Sequence, residues 1–184
     1  MSNEYKDWER DTIEEQKQVI EKYPFLRARN IDGTIDTEST FPMMGLEIPD
    51  GWNELFYQMC DDIKPLIPDD FYFIQVKEKY NELVCYTNNT TPEVEDIIQK
   101  YRYISRYVCT ICGCPASYET TGYLASLCEW CWKQEFGAYA VNQIEFKDTY
   151  EIASFRAGES RTEIVDVSDE WNRYLKENGY ERSK

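Results

Sequence analysis

The chain has 184 residues, with 35 acidic side chains, 20 basic ones and no histidine, so its formal net charge is -15. This length suits one domain with extensions, and 15 Tyr, 8 Phe and 5 Trp are enough to build a packed core. The missing histidine excludes His-ligated zinc hydrolases and the Ser-His-Asp triad, and the negative charge disfavours contact with nucleic acid or anionic membrane.

The N-terminal part of the chain predicts one helix followed by an irregular segment. Apolar residues fall near one face over residues 4–23, and Pro24 should end the helix. Turn residues are frequent from Phe25 to Pro49, and Asp32-Gly33 favours a hairpin. We therefore assign residues 1–48 to an N-terminal helix and irregular arm.

The next segment predicts two helices and two strands. Trp52, Met59 and Ile63 recur at helical spacing, while residues 71–79 and 83–87 alternate as half-buried strands do. Thr91 is a good N-cap for a second helix, which leads into a cysteine pair. The fold class is therefore α+β, a small antiparallel sheet packed with helices, with a core domain over residues 49–136.

Four cysteines in a C-x2-C-x15-C-x2-C pattern are the most specific feature of the chain. Cys109, Cys112, Cys128 and Cys131 are spaced so that two pairs can complete one tetrahedral metal site. We expect one structural Zn²⁺ in a zinc-ribbon or treble-clef module over residues 109–131. Two disulfides, or buried free thiols, are the alternatives. Cys114 could compete as a ligand, although its spacing fits less well.

The residues between the two cysteine pairs predict the geometry of the module. Gly113 permits the left-handed turn that aims N–H groups at the sulfurs. A hairpin around Thr121-Gly122 should follow, and the second pair should lie on the first turn of a helix.

Residues 137–184 predict a C-terminal β-rich extension and a terminal helix. Alternation typical of strands covers residues 138–165. Ser168 can cap a helix over residues 169–178, and Gly179 should end it.

One basic and aromatic segment interrupts the acidic chain. No acidic residue occurs from residue 97 to 118, and such a helix beside a metal site could hold phosphates and stack bases. The alternative is a solvated helix face with Tyr101 in the core and the other tyrosines half-buried. The candidate contacts with nucleic acid or a partner are Lys100, Arg102, Tyr103, Arg106 and Tyr107.

Several short motifs occur in one order between residues 20 and 133. They are Tyr23-Pro24-Phe25-Leu26, Arg29-Asn30, Pro49-Asp50-Gly51-Trp52, Gln75-Val76-Lys77-Glu78-Lys79-Tyr80, Ser105, Pro115-Ala116 and the Cys109–Cys131 module. This order resembles a family of uncharacterised proteins from phages and prophages of Gram-positive bacteria. The chain departs from that family after Asn30, which the family follows with Trp-Thr-Gly, and after Tyr80, where the family has a Gly-Ser-Leu-Arg-type turn. The resemblance implies a phage accessory protein and supports the four-cysteine site; it names no reaction.

These observations favour a non-catalytic protein that binds another protein. Four thiolates would leave a metal ion no open position for water or substrate, so we expect no enzyme. The odd number of cysteines, seven, with four of them in metal-type spacing, and the lack of a signal peptide or membrane span predict the reducing cytoplasm of a bacterial host. The predicted partner is a host protein with a basic surface, such as a defence nuclease, which the chain would inhibit as an anti-CRISPR or anti-restriction protein. Nucleic-acid binding through residues 97–108 is the first alternative, and an enzyme of unknown class is the second.

Overall fold

The computed structural model describes residues 17–30, 33–36, 46–156 and 159–182 of the chain. Most of the predicted N-terminal helix lies outside these ranges, but residues 17–22 are helical and a short 3₁₀ turn, Pro24–Leu26, follows as the proline predicts. Arg29 and Ile35 form an antiparallel bridge around Gly33, whose φ is 83°. The predicted hairpin is therefore present, although Asp32 lies outside the described residues.

Helices and small sheets alternate along the chain, which confirms the α+β class. The helices are α1 (Asn53–Ile63), α2 (Pro92–Ser105), α3 (Glu129–Glu135) and α4 (Ser168–Glu177). The strands are β1 (Leu46–Glu47), β2 (Tyr72–Glu78), β3 (Leu83–Asn88), β4 (Tyr118–Thr120), β5 (Ser126–Leu127), β6 (Val141–Gln143), β7 (Thr149–Arg156) and β8 (Glu159–Asp166). A 3₁₀ turn, Asp50–Trp52, leads into α1.

The first sheet has the order β1-β2-β3. Its central pair is antiparallel as predicted, whereas β1, which the sequence analysis did not predict, pairs parallel to β2. The register of β2 shifts between Phe73 and Gln75. This irregularity lets Phe73 and Val76 both point into the core although they are three residues apart, and it leaves Ile74 exposed.

One main hydrophobic core joins distant parts of the chain. It includes Tyr23 near the start, Trp52 and Met59 from the first helix region, and Tyr101 from α2. Trp171 and its neighbours in α4 belong to the same core. The terminal helix therefore packs with residues 49–108, although the sequence analysis assigned it to an extension.

The C-terminal segment adds one strand to the second sheet and forms a separate hairpin. β6 pairs with β4, so the second sheet has the order β5-β4-β6, and β7 and β8 form a separate antiparallel hairpin. None of the described helices is both long and apolar enough to cross a bilayer.

The ends of α4 show one prediction confirmed and one corrected. Gly179 has φ 73° and follows the last turn, where the N–H of Tyr180 donates to the carbonyl of Leu175, so the glycine ends the helix as predicted. Ser168 is not the cap. It is the first residue of the helix, and its N–H and hydroxyl both donate to the carboxylate of Asp166.

Candidate metal centre

Three consecutive elements carry the four cysteines to one place. Cys109 follows the end of α2, and the turn after it closes at Gly113, whose φ is 76°. The β4–β5 hairpin then brings the chain back to Cys128, which caps α3 and accepts a hydrogen bond from the N–H of Cys131 at 3.4 Å. The predicted turn, hairpin and helix-borne pair are all present.

The four sulfurs form one compact group. The Sγ of Cys112 lies 3.7 Å from that of Cys128 and 3.5 Å from that of Cys131, and all four sulfurs are within 4.8 Å of one another. Four sulfurs around one ion at about 2.3 Å would be roughly 3.8 Å apart, whereas a disulfide bond measures about 2.05 Å. All seven cysteines are free thiols, so the geometry fits a metal site and not the alternative of two disulfides.

The four sulfurs differ in burial and in the pKa of their thiols. Cys109 and Cys131 are buried, Cys128 is half-buried and Cys112 is exposed. Burial acts to raise the pKa of the Cys109 thiol, but hydrogen bonds from the backbone of Cys128, Cys112 and Ile111 outweigh it and lower the pKa. Burial raises the pKa of Cys131 to about 12 and that of Cys112 well above its usual range. A bound cation would favour the ionised form of every sulfur.

A tight contact with the start of α1 holds the first cysteine pair. Gly51 donates its N–H to the carbonyl of Thr110 at 3.1 Å, and a Cβ at Gly51 would lie only 2.1 Å from the carbonyl oxygen of Cys109. The indole N–H of Trp52 donates to the carbonyl of Val108 at 3.1 Å. The Pro49–Trp52 motif therefore supports the metal site, a role that sequence reasoning missed because the two segments are more than 50 residues apart.

The C-terminal helix contacts the same turn from another side. The hydroxyl of Tyr174 donates to the carbonyl of Gly113 at 2.6 Å, and the thiol of Cys114 lies 3.4 Å from the hydroxyl of Tyr180. Cys114 is not a member of the four-sulfur group. Its thiol contacts Tyr180 instead of the other sulfurs.

A buried asparagine fixes the β4–β5 hairpin. Asn81 has a left-handed backbone (φ 62°) and is fully buried. Its side-chain amide donates to Ser126 at 2.7 Å and to Glu119 at 3.0 Å, and its carbonyl oxygen accepts from the N–H of Ser126 at 3.0 Å. Sequence reasoning missed the role of this residue. The one signal in the sequence that could have found it is that asparagine tolerates a positive φ better than most residues.

The candidate basic contacts on α2 and at its C-terminal cap are already paired with carboxylates. Lys100 lies 2.7 Å from Glu170 of α4, and Arg102 lies 2.6 Å from Glu82. Arg106 is 4.0 Å from the same Glu82. These carboxylates come from distant segments and reduce the positive charge that this helix would offer to a phosphate.

The candidate aromatic contacts pack under the C-terminal segment. The rings of Tyr103 and Tyr150 stack with centroids 4.3 Å apart, and Tyr107 meets Phe146 edge-on at 5.2 Å. Both tyrosines are half-buried, while Tyr101 is fully buried in the main core. This arrangement agrees with the alternative interpretation of the segment, a structural helix face.

The geometry therefore defines an α+β protein with a four-cysteine cluster that can bind a metal ion. Comparisons with protein-family models, with curated proteins and with solved structures gave no match.

Proposed function

We propose that the four cysteines bind a single Zn²⁺ and that this ion is structural, in a zinc-ribbon or treble-clef arrangement. Thiolates suit zinc, and the S···S separations of 3.5 and 3.7 Å fit tetrahedral ligation. Four protein ligands leave no position for water or substrate, which supports a non-catalytic role. Free thiols in this number suit the reducing cytoplasm of a host cell.

We further propose that the chain binds a host protein through a basic surface of that partner. The observation that carries this proposal is the distribution of charge: the net charge is -15, and the three cations of the basic segment, Lys100, Arg102 and Arg106, pair with carboxylates of the chain itself. An acidic surface attracts a basic partner and speeds its association. The zinc holds the surface in place and takes no part in recognition.

The partner that best suits this surface is a nucleic-acid enzyme. Nucleases of restriction and CRISPR systems carry basic channels for DNA, and an acidic protein can occupy such a channel in place of the nucleic acid. The resemblance to phage and prophage proteins favours an anti-defence inhibitor of this kind. Which enzyme is the target is the question that the following experiment answers.

The test is recovery of the partner from host lysate with the zinc-loaded, tagged chain. We expect a nucleic-acid enzyme in a complex that dissociates at raised salt, and we expect its activity to fall when the chain is added. Recovery of no such enzyme, or a complex that leaves the enzyme fully active, would contradict the proposal.

Binding to free nucleic acid is the second outcome to be measured. Mobility shift with DNA and RNA should give no complex at physiological salt. If a tight shift appears and is lost when Lys100, Arg102 and Arg106 are changed to Ala, the helix is a nucleic-acid contact and the protein-binding proposal is wrong.

A further inference from the structure

The four cysteines of the proposed zinc site differ in how well the chain covers them. Cys109 and Cys131 are buried and Cys128 is half-buried, whereas Cys112 is exposed. Oxidation of protein thiols is selective for residues that solvent reaches and that are held as thiolates. Cys112 meets both conditions when the ion is bound, because a sulfur that ligates a metal is deprotonated.

The local structure around Cys112 explains its exposure. Cys112 lies in the turn that follows Cys109, and the N–H of Gly113 closes this turn by donating to the carbonyl of Cys109 at 3.0 Å. Ile111, directly before Cys112, is exposed as well. The other side of the turn is covered, because Gly113 is buried and its carbonyl accepts from the hydroxyl of Tyr174 at 2.6 Å. The tip of the turn therefore faces solvent while its base is packed on the body of the protein.

Two other sulfurs lie close enough to Cys112 to form a disulfide after a small movement. The Sγ of Cys112 is 3.5 Å from that of Cys131 and 3.7 Å from that of Cys128. The two sulfurs of a disulfide are about 2.05 Å apart, so the gap to be closed is roughly 1.5 Å. Cys114 is two residues away in the chain, but it lies outside the four-sulfur group and its thiol contacts Tyr180. The second cysteine pair, and not Cys114, is therefore the neighbour that an oxidised Cys112 meets.

We propose that Cys112 is an oxidation site, at which a peroxide links the first cysteine pair to the second and so releases the zinc. In the first step the sulfur of Cys112 attacks one oxygen of hydrogen peroxide. The S–O bond forms as the O–O bond breaks, and the departing hydroxide takes a proton from solvent to become water. The sulfur is oxidised by two electrons to a sulfenic acid, and the peroxide is reduced.

In the second step a thiolate of the second cysteine pair attacks the oxidised sulfur. The S–S bond forms as the S–O bond breaks, and the hydroxide that leaves Cys112 takes a second proton from solvent. Two thiolates, one peroxide and two protons thus give one disulfide and two water molecules. Two of the four sulfurs then remain as ligands, which is too few for a structural zinc site.

The expected consequence is a reversible switch in the cysteine module. Release of the zinc loosens the residues that the metal holds, whereas the main core, which does not include the four clustered cysteines, keeps its packing. A dithiol reductant returns the disulfide to two thiols, and added zinc then restores the site. The inference rests on the proposed function in one respect, because it needs the four cysteines to hold a zinc ion.

The first test follows the unmodified zinc-loaded chain during exposure to hydrogen peroxide. Free zinc is measured with a coloured chelator, and samples taken at half-release are alkylated, digested and mapped by mass spectrometry. We expect a disulfide between Cys112 and either Cys128 or Cys131, formed at the rate at which zinc appears and reversed by dithiothreitol. A first disulfide that does not contain Cys112, or one between Cys112 and Cys114, would overturn the assignment.

The second test uses variants that keep a zinc ligand at the changed position. Cys112→His and Cys128→His each leave three cysteines and one histidine, an ordinary structural zinc set, and metal analysis checks that each variant binds one ion. We expect Cys112→His to slow the peroxide-driven release of zinc by about tenfold, because the exposed sulfur is gone. Cys128→His keeps Cys112 beside Cys131 and should change the rate by less than about twofold. Equal slowing in both variants would contradict a special role for Cys112. Where a variant binds no zinc, the disulfide map of the unmodified chain decides.

The inference and the proposed function can fail separately. If the chain holds one zinc but peroxide first links cysteines other than Cys112, the inference is wrong and the structural zinc stands. If Cys112 is oxidised as expected and no host enzyme is recovered from lysate, the inference stands and the protein-binding proposal is wrong. A chain that binds no zinc contradicts both, and metal analysis before the peroxide is added detects that case.

Discussion

The main core and the cysteine module are stabilised in different ways. The main core buries large apolar side chains from three helices, α1, α2 and α4, and from the first sheet, and these include Phe56, Phe73 and Trp171. Among the residues that the structure describes, the cluster around the cysteines buries only Cys109, Leu127 and Cys131. So small a cluster cannot hold a structure by apolar burial, and modules of this kind usually need a metal. The two regions should therefore fail under different perturbations, although Val108 and Cys109 place them side by side in the chain.

The largest effect should follow the loss of one metal ligand. Cys131→Ser removes a buried member of the four-sulfur group, and the free energy that a structural zinc contributes to folding in small peptides is about 10–16 kcal/mol. We expect the variant to lose zinc and residues 109–136 to lose their protection from proteolysis, as measured by metal analysis and limited digestion. Cys114→Ser is the control and should retain one zinc per chain. Loss of zinc from both variants would mean that Cys114 is a ligand after all.

A change in the main core should lower stability without removing the metal. Phe56 lies in this core and is 1 % exposed, and truncation of a buried phenylalanine to alanine lowers the free energy of unfolding by about 3–5 kcal/mol. Trp130, next to Cys131 in the sequence, is 66 % exposed, and Trp130→Ala should change the free energy of unfolding by no more than about 0.5 kcal/mol. Urea unfolding of the two zinc-loaded variants measures both effects. A larger loss for Trp130→Ala would show that the module depends on its own apolar contacts.

The local features of both regions could be predicted from the sequence. The cysteine spacing predicts the metal cluster, and the threonine before Pro92 predicts the start of α2, where its hydroxyl accepts from the N–H of Val94 at 3.3 Å. Gly113 and Gly179 mark the turns that follow each element. These signals are readable because each depends on residues only a few positions apart.

The contacts between the two regions could not be predicted in this way. Gly51 reaches Thr110, Tyr174 reaches Gly113, and Asn81 reaches Ser126, each across more than 40 residues of chain. The same limit applies to Lys100, because Glu170, which neutralises it, is 70 positions away. A pattern of charges on one helix does not reveal which of them the rest of the chain will pair.

Removal of the contact between α4 and the cysteine turn should lower the free energy of unfolding by a smaller amount, and only while the metal site is intact. Tyr174→Phe leaves the buried carbonyl of Gly113 without its donor, which lowers stability by about 1–3 kcal/mol. Tyr180→Phe removes only the contact with the thiol of Cys114 and should have a weaker effect. In a Cys131→Ser background the effect of Tyr174→Phe should largely disappear, because the turn that it contacts is no longer fixed. Additive losses in the double variant would show that the turn is held without metal.

The smallest effect should come from the ion pairs on α2. Glu82 pairs with Arg102 at 2.6 Å and with Arg106 at 4.0 Å, and such partly exposed pairs contribute about 0–1 kcal/mol to stability. Glu82→Gln removes the carboxylate partner of both arginines. The variant therefore tests whether this ion pairing is what prevents the helix from binding nucleic acid.

We expect Glu82→Gln to remain without a mobility shift at physiological salt, because two freed arginines still face the field of a strongly acidic chain. Glu93→Gln changes the net charge equally without freeing an arginine, and it should behave in the same way. If only Glu82→Gln bound DNA, the helix would be a nucleic-acid contact that its own carboxylate conceals. The acidic charge would then be a local restraint on binding and not the surface that a basic partner recognises.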